Sequence, residues 1–383
     1  MNKITRKSFL KVLAATMVGG AAASALTGAA APVSIDETNG KVSRWVKNNL
    51  NPDGPLTIAK QGMFSSGGTV TAPVAGTYDA TTNWLDTTRA GNTAHVDHAN
   101  VLYQIPADSN GWPMVYLHGY GQSRMGWITT PDGRQGWADL FLRNGYPAFL
   151  VDQPRRGEAG GTAQMSTDGF LDTWSADSKD YKPGDQAWYT HFRIGRVAPE
   201  RYEGSQFPEG DAAQNQFFRQ MTPNTGDFNQ AVAAAALGEV MKDVQTLTGH
   251  KSIFVTHSQG GAVGWNVPAD NIAAIVAIEP GGTPAIGSEQ YTKLLSAGIL
   301  IAIYFGDYID NGPEDIMSTS FWRQVRDGAL AFAAQYNADG GDCTVVDLPK
   351  IGITGNSHFM FQELNNKEIA DHIYQWLESR ALA

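Results

Sequence analysis

One stretch, Ser252-Ile253-Phe254-Val255-Thr256-His257-Ser258-Gln259-Gly260-Gly261, constrains this chain more than any other. Ile253 to Thr256 are apolar or β-branched without a polar break, which suits a strand buried on both faces. Ser258 follows at once, and apolar residues resume at Ala262. The pattern predicts a strand, a tight turn and a helix start, with Ser258 at the apex. A strained turn of this kind lifts a hydroxyl clear of the backbone. The helix N-terminus behind it offers amides and a positive dipole end to a developing oxyanion. Small residues two before and two after the Ser let strand and helix pass closely. Here they are Thr256 and Gly260, so the first position lacks the usual glycine. A turn Ser that merely caps a helix reads the same way locally. What the Ser means therefore depends on the residues at the other strand ends.

The chain has 383 residues, a net charge of -10 and no long basic run, which argues against nucleic acid or an anionic membrane as its main partner. Cys343 is the only cysteine, so an intrachain disulfide and a cysteine-based zinc site are both excluded. It lies in an apolar, strand-like run and reads as a buried structural thiol. Residues 1–31 read as an export signal, with Lys3, Arg6, Lys7 and Lys11 ahead of an Ala/Gly/Val-rich segment. Thr5 to Lys11 resembles a twin-arginine motif with Lys7 in the second position, which leaves the general secretory route open. Candidate cleavage points follow Ala25 or Ala31. The apolar stretch is short and Ala/Gly-rich for a membrane anchor. The expectation is an exported enzyme, periplasmic or secreted, with no stable membrane insertion once the signal is removed. Residues 32–383 read as a single domain.

From Leu56 to Thr71 the pattern suggests an antiparallel hairpin turning at Ser65-Ser66-Gly67-Gly68, with Val101 to Ile105 as a further strand. His95 and His98 lack a third ligand nearby and read as solvated loop residues. Met114 to Leu117 is a short buried strand running into His118-Gly119-Tyr120-Gly121, a turn able to aim backbone amides into a cleft. Gly136 to Asn144 reads as a helix, and Pro147 to Val151 as the next strand. From about 156 to 225 the alternation stops. This aromatic-rich insertion, with Trp174, Trp188, Tyr189, Phe192, Tyr202, Phe207, Phe217 and Phe218, reads as a lid or binding loop. Its aromatics serve equally to pack the lid onto the body. Phe228 to Thr248 reads as a helix ended by Gly249. Strands follow at Ile272 to Ile278, Ile299 to Phe305 and Thr344 to Leu348, with helices at Trp322 to Asn337 and Asn365 to Leu377.

Buried strands alternating with helices imply a mostly parallel α/β sheet, and such sheets place ligand chemistry at the carboxyl ends of their strands. Ser258, Glu279, Asp307, His358 and the Gly119–Gly121 turn all fall there. Oxyanion loop, Ser, acid and His stand in the order of an α/β-hydrolase. A Ser nucleophile needs a base, and the base needs a carboxylate to fix its tautomer. His358, in a Gly/Asn/Ser loop after the last strand, suits the base. His118 belongs to the oxyanion strand end, His372 sits within the last helix, and His257 is expected to point away from Ser258. Glu279 and Asp307 both suit the acid, and periodicity does not separate them.

From about Gly111 onward the chain resembles a branch of bacterial α/β-hydrolase esterases. The resemblance rests on Thr130-Pro131-Asp132-Gly133-Arg134, Val151-Asp152-Gln153, His257-Ser258-Gln259, Ile278-Glu279-Pro280-Gly281, Phe305-Gly306-Asp307 and Gly355-Asn356-Ser357-His358. It implies Glu279 as the triad acid. The branch's best-known member carries adjacent cysteines in the oxyanion loop where this chain has Tyr120-Gly121, so roles tied to those cysteines do not transfer. The resulting expectation is a serine hydrolase using Ser258, His358 and Glu279, with the amides of Tyr120 and Gln259 as oxyanion hole and neither metal nor cofactor. Its partner would be a small ester or lactone, bulky and apolar or aromatic. A peptidase or amidase with the same triad and a non-catalytic binding protein are the alternatives. A dehalogenase or epoxide hydrolase is disfavoured by Ser rather than Asp at the turn.

Overall fold

The computed structural model describes residues 54–72, 75–78, 81, 90, 91, 93–157, 185–222 and 226–383. The expected export signal and residues 158–184 of the expected insertion lie outside the described residues. In chain order the strands are β1 (Ile58–Ser66), β2 (Thr69–Thr71), β3 (Ala94–Val96), β4 (Ala99–Pro106), β5 (Met114–Leu117), β6 (Ala148–Asp152), β7 (Ser252–His257), β8 (Ile272–Ile278), β9 (Leu300–Phe305) and β10 (Asp342–Asp347). The helices are α1 (Met125–Ile128), α2 (Trp137–Leu142), α3 (Asp185–His191), α4 (Asp211–Arg219), α5 (Gln230–Thr248), α6 (Gln259–Gly264), α7 (Glu289–Ser296), α8 (Met317–Ala338) and α9 (Asn366–Glu378).

The main sheet has eight strands in the order β1-β4-β6-β5-β7-β8-β9-β10. From β6 to β10 every pairing is parallel, while β4 against β6 and β1 against β4 are antiparallel. Side chains alternate across each strand, so a strand covered on both faces must be apolar at every position. Met114, Tyr116, Ile253, Val255 and Ile278 pack on one face under α2 and α9. Val115, Leu117, Phe254, Ile275 and Ile303 pack on the other under α5 and α8. Each such side chain, fully buried, contributes roughly 1.5–3 kcal/mol.

An N-terminal antiparallel pair, β2 with β3, is present, but the two arms expected to pair around Ser65-Ser66-Gly67-Gly68 do not pair with each other. β1 joins the edge of the main sheet through β4, whereas β2 pairs with β3 in a separate two-stranded sheet. The Gly67-Gly68 bend, with φ 71° and 83°, thus links two sheets. Helix α5 begins where the Asn229 side chain accepts from the Val232 N–H at 3.1 Å and stops at Gly249 in the left-handed region, φ 79°. The segment 185–222, expected to be irregular, contains α3 and α4. Its clustered aromatics obscure the helical period, because Trp188, Tyr189, Phe207 and Phe217 are all buried in one core cluster with Phe359. They fasten the segment to the body.

Candidate active site

From β5 the chain crosses to β6 on one side of it, then returns to β7 on the other. Where strand order reverses in this way, a parallel sheet leaves a crevice at its carboxyl end. The two ends meeting there are Leu117, which runs into His118-Gly119-Tyr120, and His257, which runs into Ser258. They touch at Gly119, where an added Cβ would lie 2.9 Å from Ser258 Cβ. Only glycine fits.

Ser258 adopts φ 54° and ψ -118° at the start of α6. Its N–H donates to Ile278 O at 3.0 Å, and its carbonyl accepts from Gly281 at 3.0 Å. These bonds to the end of β8 hold a backbone conformation that costs on the order of 1–3 kcal/mol. Four of the seven non-glycine residues with positive φ among the described residues are Arg193, Ser258, Glu279 and Tyr308, which collect around this crevice. The missing glycine at Thr256 is compensated on the helix, where Gly264 leaves room for the Thr256 methyl; a Cβ there would meet it at 3.0 Å.

Glu279 turns out of β8 at φ 40°, its N–H bonded to Tyr304 O at 2.9 Å. Its carboxylate is fully buried and divided between two tasks. Oε1 accepts from the Gly306 N–H at 2.7 Å and from Arg193 Nη2. Oε2 lies 2.6 Å from His358 Nδ1. Burial alone would push this carboxyl up, but Arg193, His358 and the Gly306 amide outweigh burial and hold it below the usual range. Burial also draws His358 below the ordinary imidazole value; Glu279 opposes that and Arg193 reinforces it. The resting pair is therefore a carboxylate beside a neutral imidazole whose proton sits on Nδ1. His358 Nε2 is buried and without a hydrogen-bond partner, so no hydrogen bond joins it to Ser258 Oγ in this structure. Aromatic rings enclose the imidazole, with centroids at 4.4 Å for Trp322 and 4.7 Å for Phe192.

Asp307 does a different job. Its Oδ1 accepts from the Tyr308 N–H at 2.7 Å and its Oδ2 from the Gly355 N–H at 2.8 Å, while its own N–H donates to Asn356 O at 2.7 Å. It shapes the loop that carries His358. Of the two acids left open by periodicity, the structure brings Glu279 to the imidazole.

His257 is buried on the face that alternation assigns it, with Ile253 and Val255, and packs on Phe359 and Phe361. Its ring centroid lies 4.4 Å from that of His358, and its Nε2 lies 2.9 Å from His358 O. Burial and the neighbouring His358 hold His257 well below the ordinary value, so the ring is neutral and has one N–H. Its Nε2 faces the His358 carbonyl, and its Nδ1 lies 2.9 Å from Gln122 Oε1. His118 stays in the oxyanion strand end, its Nδ1 2.8 Å from Gly119 O. His372 meets the Tyr304 hydroxyl at 3.0 Å. Gln259 opens α6, and a first-turn N–H has no intrahelical acceptor; Tyr120 follows the Gly119 contact. Cys343 is buried. His95 is exposed on β3, and among the described residues no group of three or more His, Cys, Asp or Glu is placed to hold a metal ion.

Three further residues stand at the site: Arg193 and Glu363 carry no sequence signal of their own, and Phe192 was marked only as one of the insertion's aromatics. Phe192 and Arg193 come from the insertion, and the contact from Arg193 to Glu279 spans 86 positions. Glu363 is fully buried, accepts from the Ser357 N–H at 2.9 Å and from Asn356 Nδ2 at 2.8 Å, and so braces the His358 loop from beneath.

A bacterial esterase solved at atomic resolution is 30% identical, with 86% of this chain and 98% of that one aligned and a TM-score of 0.69. The chain belongs to the α/β-hydrolase esterase family. A second relative, the probable secreted lipase phiG of a fungal species (strain ATCC 74256), is 27% identical over 321 residues, which are 70% of this chain and 82% of that protein. No family model matches the chain. Among the described residues, no helix of this α/β-hydrolase is long and apolar enough to cross a membrane.

Proposed function

We propose that the chain hydrolyses carboxylic esters, lactones included, through an acyl-enzyme on Ser258. The single observation that carries this reading is the buried pair of Glu279 and His358, 2.6 Å apart, with His358 Nε2 unpartnered and the His358 carbonyl held by His257, the residue before the strained Ser258 turn. Ser258 Oγ attacks the ester carbonyl while His358 Nε2 takes its proton. The amides of Tyr120 and Gln259 receive the oxyanion. His358 then returns the proton to the leaving alcohol, and water, deprotonated by the same nitrogen, releases the acid. Glu279 holds the Nδ1 proton in place and stabilises the imidazolium that forms.

The half-buried aromatics Tyr120 and Phe192 near the crevice favour a bulky apolar or aromatic ester. The likeness to a secreted lipase supports the same substrate class and export of the mature protein. Residues about 156–225 act as the lid of a single catalytic domain spanning 32–383. Parallel turnover of p-nitrophenyl esters and matched anilides tests the reaction class. Esters should be hydrolysed and the Ser258→Ala protein should be inactive. Comparable anilide turnover would favour an amidase. Full ester turnover by Ser258→Ala would remove the proposal.

A further inference from the structure

The insertion sends two adjacent side chains into the His–Glu pair, from beyond the end of α3. Phe192 stacks on the His358 ring at 4.7 Å and 17°, and its carbonyl accepts the His358 N–H at 3.1 Å. Arg193 is held at φ 65° with only 2% of its side chain exposed. Its Nη2 donates to Glu279 Oε1, its Nε donates to Asp307 O at 2.9 Å, and its guanidinium lies 5.5 Å over the Trp322 ring. The same guanidinium thus grips the carboxylate that orients the imidazole and the backbone that begins the His358 loop. The insertion is bonded to the other site loops as well, through Gln206 N–H to Gly355 O and Thr222 N–H to Gly121 O, both at 2.8 Å.

We propose that Arg193 is a positioning residue that makes assembly of the catalytic pair depend on the insertion being seated. By occupying Glu279 Oε1, it leaves Oε2 alone to face Nδ1, and by holding Asp307 O it fixes the distance between acid and base loops. A planar fork with several N–H groups suits both tasks at once, which a lysine ammonium does not. The inference rests on the triad reading above. The titratable and charged groups facing the His358 ring are Glu279 after β8, Arg193 after α3 and His257 on β7. Removing Arg193 leaves the pair with uncompensated negative charge, so the imidazole holds its proton to higher pH.

The test is steady-state hydrolysis of a p-nitrophenyl ester across pH by the full chain, by Arg193→Met, Arg193→Lys and Glu279→Gln, and by the Arg193→Met/Glu279→Gln double variant. Arg193→Met should lower kcat by roughly thirtyfold with KM within about threefold, as expected for a misplaced but intact reacting group. Its acid limb of kcat/KM should move to higher pH, and Arg193→Lys should recover part of the rate. In the Glu279→Gln background, Arg193→Met should add less than about a twofold loss, because the residue acts through Glu279. Wild-type kcat with an unmoved acid limb in Arg193→Met overturns the inference. Should that variant fail to fold, Arg193→Lys decides alone: reduced kcat supports the inference and wild-type kcat overturns it. Ser258→Ala run alongside separates the two levels. Full turnover there sinks the triad itself, whereas an inactive Ser258→Ala beside unaffected Arg193 variants sinks only this inference.

Discussion

Glu279→Gln is isosteric, and the structure dictates how the new amide must sit. On the Oε1 side two donors converge, the Gly306 N–H at 2.7 Å and Arg193 Nη2. The Gln carbonyl oxygen settles there, because an NH2 would face two N–H groups. Its NH2 then faces His358 Nδ1, which in wild type lies 2.6 Å from Oε2. A donor cannot accept the Nδ1 proton, so the ring adopts the tautomer with hydrogen on Nε2 and loses its lone pair toward Ser258. The analogous amide in Ser-His-Asp enzymes costs roughly ten-thousandfold in kcat. We expect roughly 10³- to 10⁴-fold here, or about 4–5.5 kcal/mol of transition-state stabilisation. KM should stay within about threefold. Asp307→Asn is the control, because among the described residues the Asp307 carboxylate accepts from the backbone N–H groups of Tyr308 and Gly355 and not from His358. It should lose less than about tenfold. Initial rates on p-nitrophenyl esters, normalised to folded protein, give the comparison. Asp307→Asn proving the more damaging, or Glu279→Gln staying within tenfold of wild type, would refute the reasoning.

Two more outcomes follow from buried titratable groups. Because burial and Arg193 keep His358 below the ordinary imidazole value of 6.5, kcat/KM should rise with pH to a midpoint below 6.5; a midpoint above that value would contradict the neutral resting imidazole. Glu363 is pushed up to about 7 by burial, against an ordinary carboxyl value of 4.5. The folded chain therefore holds this proton more tightly than the unfolded one, a stabilisation present below 4.5 and lost as pH rises through about 7. The loss amounts to about 3 kcal/mol. Denaturant titrations at acid and mildly alkaline pH should show that loss in wild type and not in Glu363→Gln; equal pH dependence in both would sink it.

Much of the fold was legible because both faces of the central strands are covered, which makes them apolar at every position. Met114–Leu117 and Ile272–Ile278 coincide with the runs read from sequence. The places of Ser258 and His358 were legible because each falls at a strand end or in the loop beyond. The choice between Glu279 and Asp307 was not, since both follow buried strands. It turns on a positive φ at Glu279 and on backbone amides that occupy Asp307. Arg193 was hidden for a different reason. Its partner lies far along the chain, and a lone arginine among aromatics leaves no periodic trace. His257 was legible as a packed residue because alternation places it with Ile253 and Val255, but its closeness to His358 depends on a loop about a hundred positions away.

The central claim is that Ser258 is the hydroxyl made nucleophilic by His358. Covalent labelling by a fluorophosphonate, with the modified peptide located by mass spectrometry, tests it most directly. The adduct should map to Ser258, vanish in Ser258→Ala, and form at least a hundredfold more slowly in His358→Ala, on the order of the loss expected when a general base is removed. Labelling of another serine, or an undiminished rate without His358, would contradict the account.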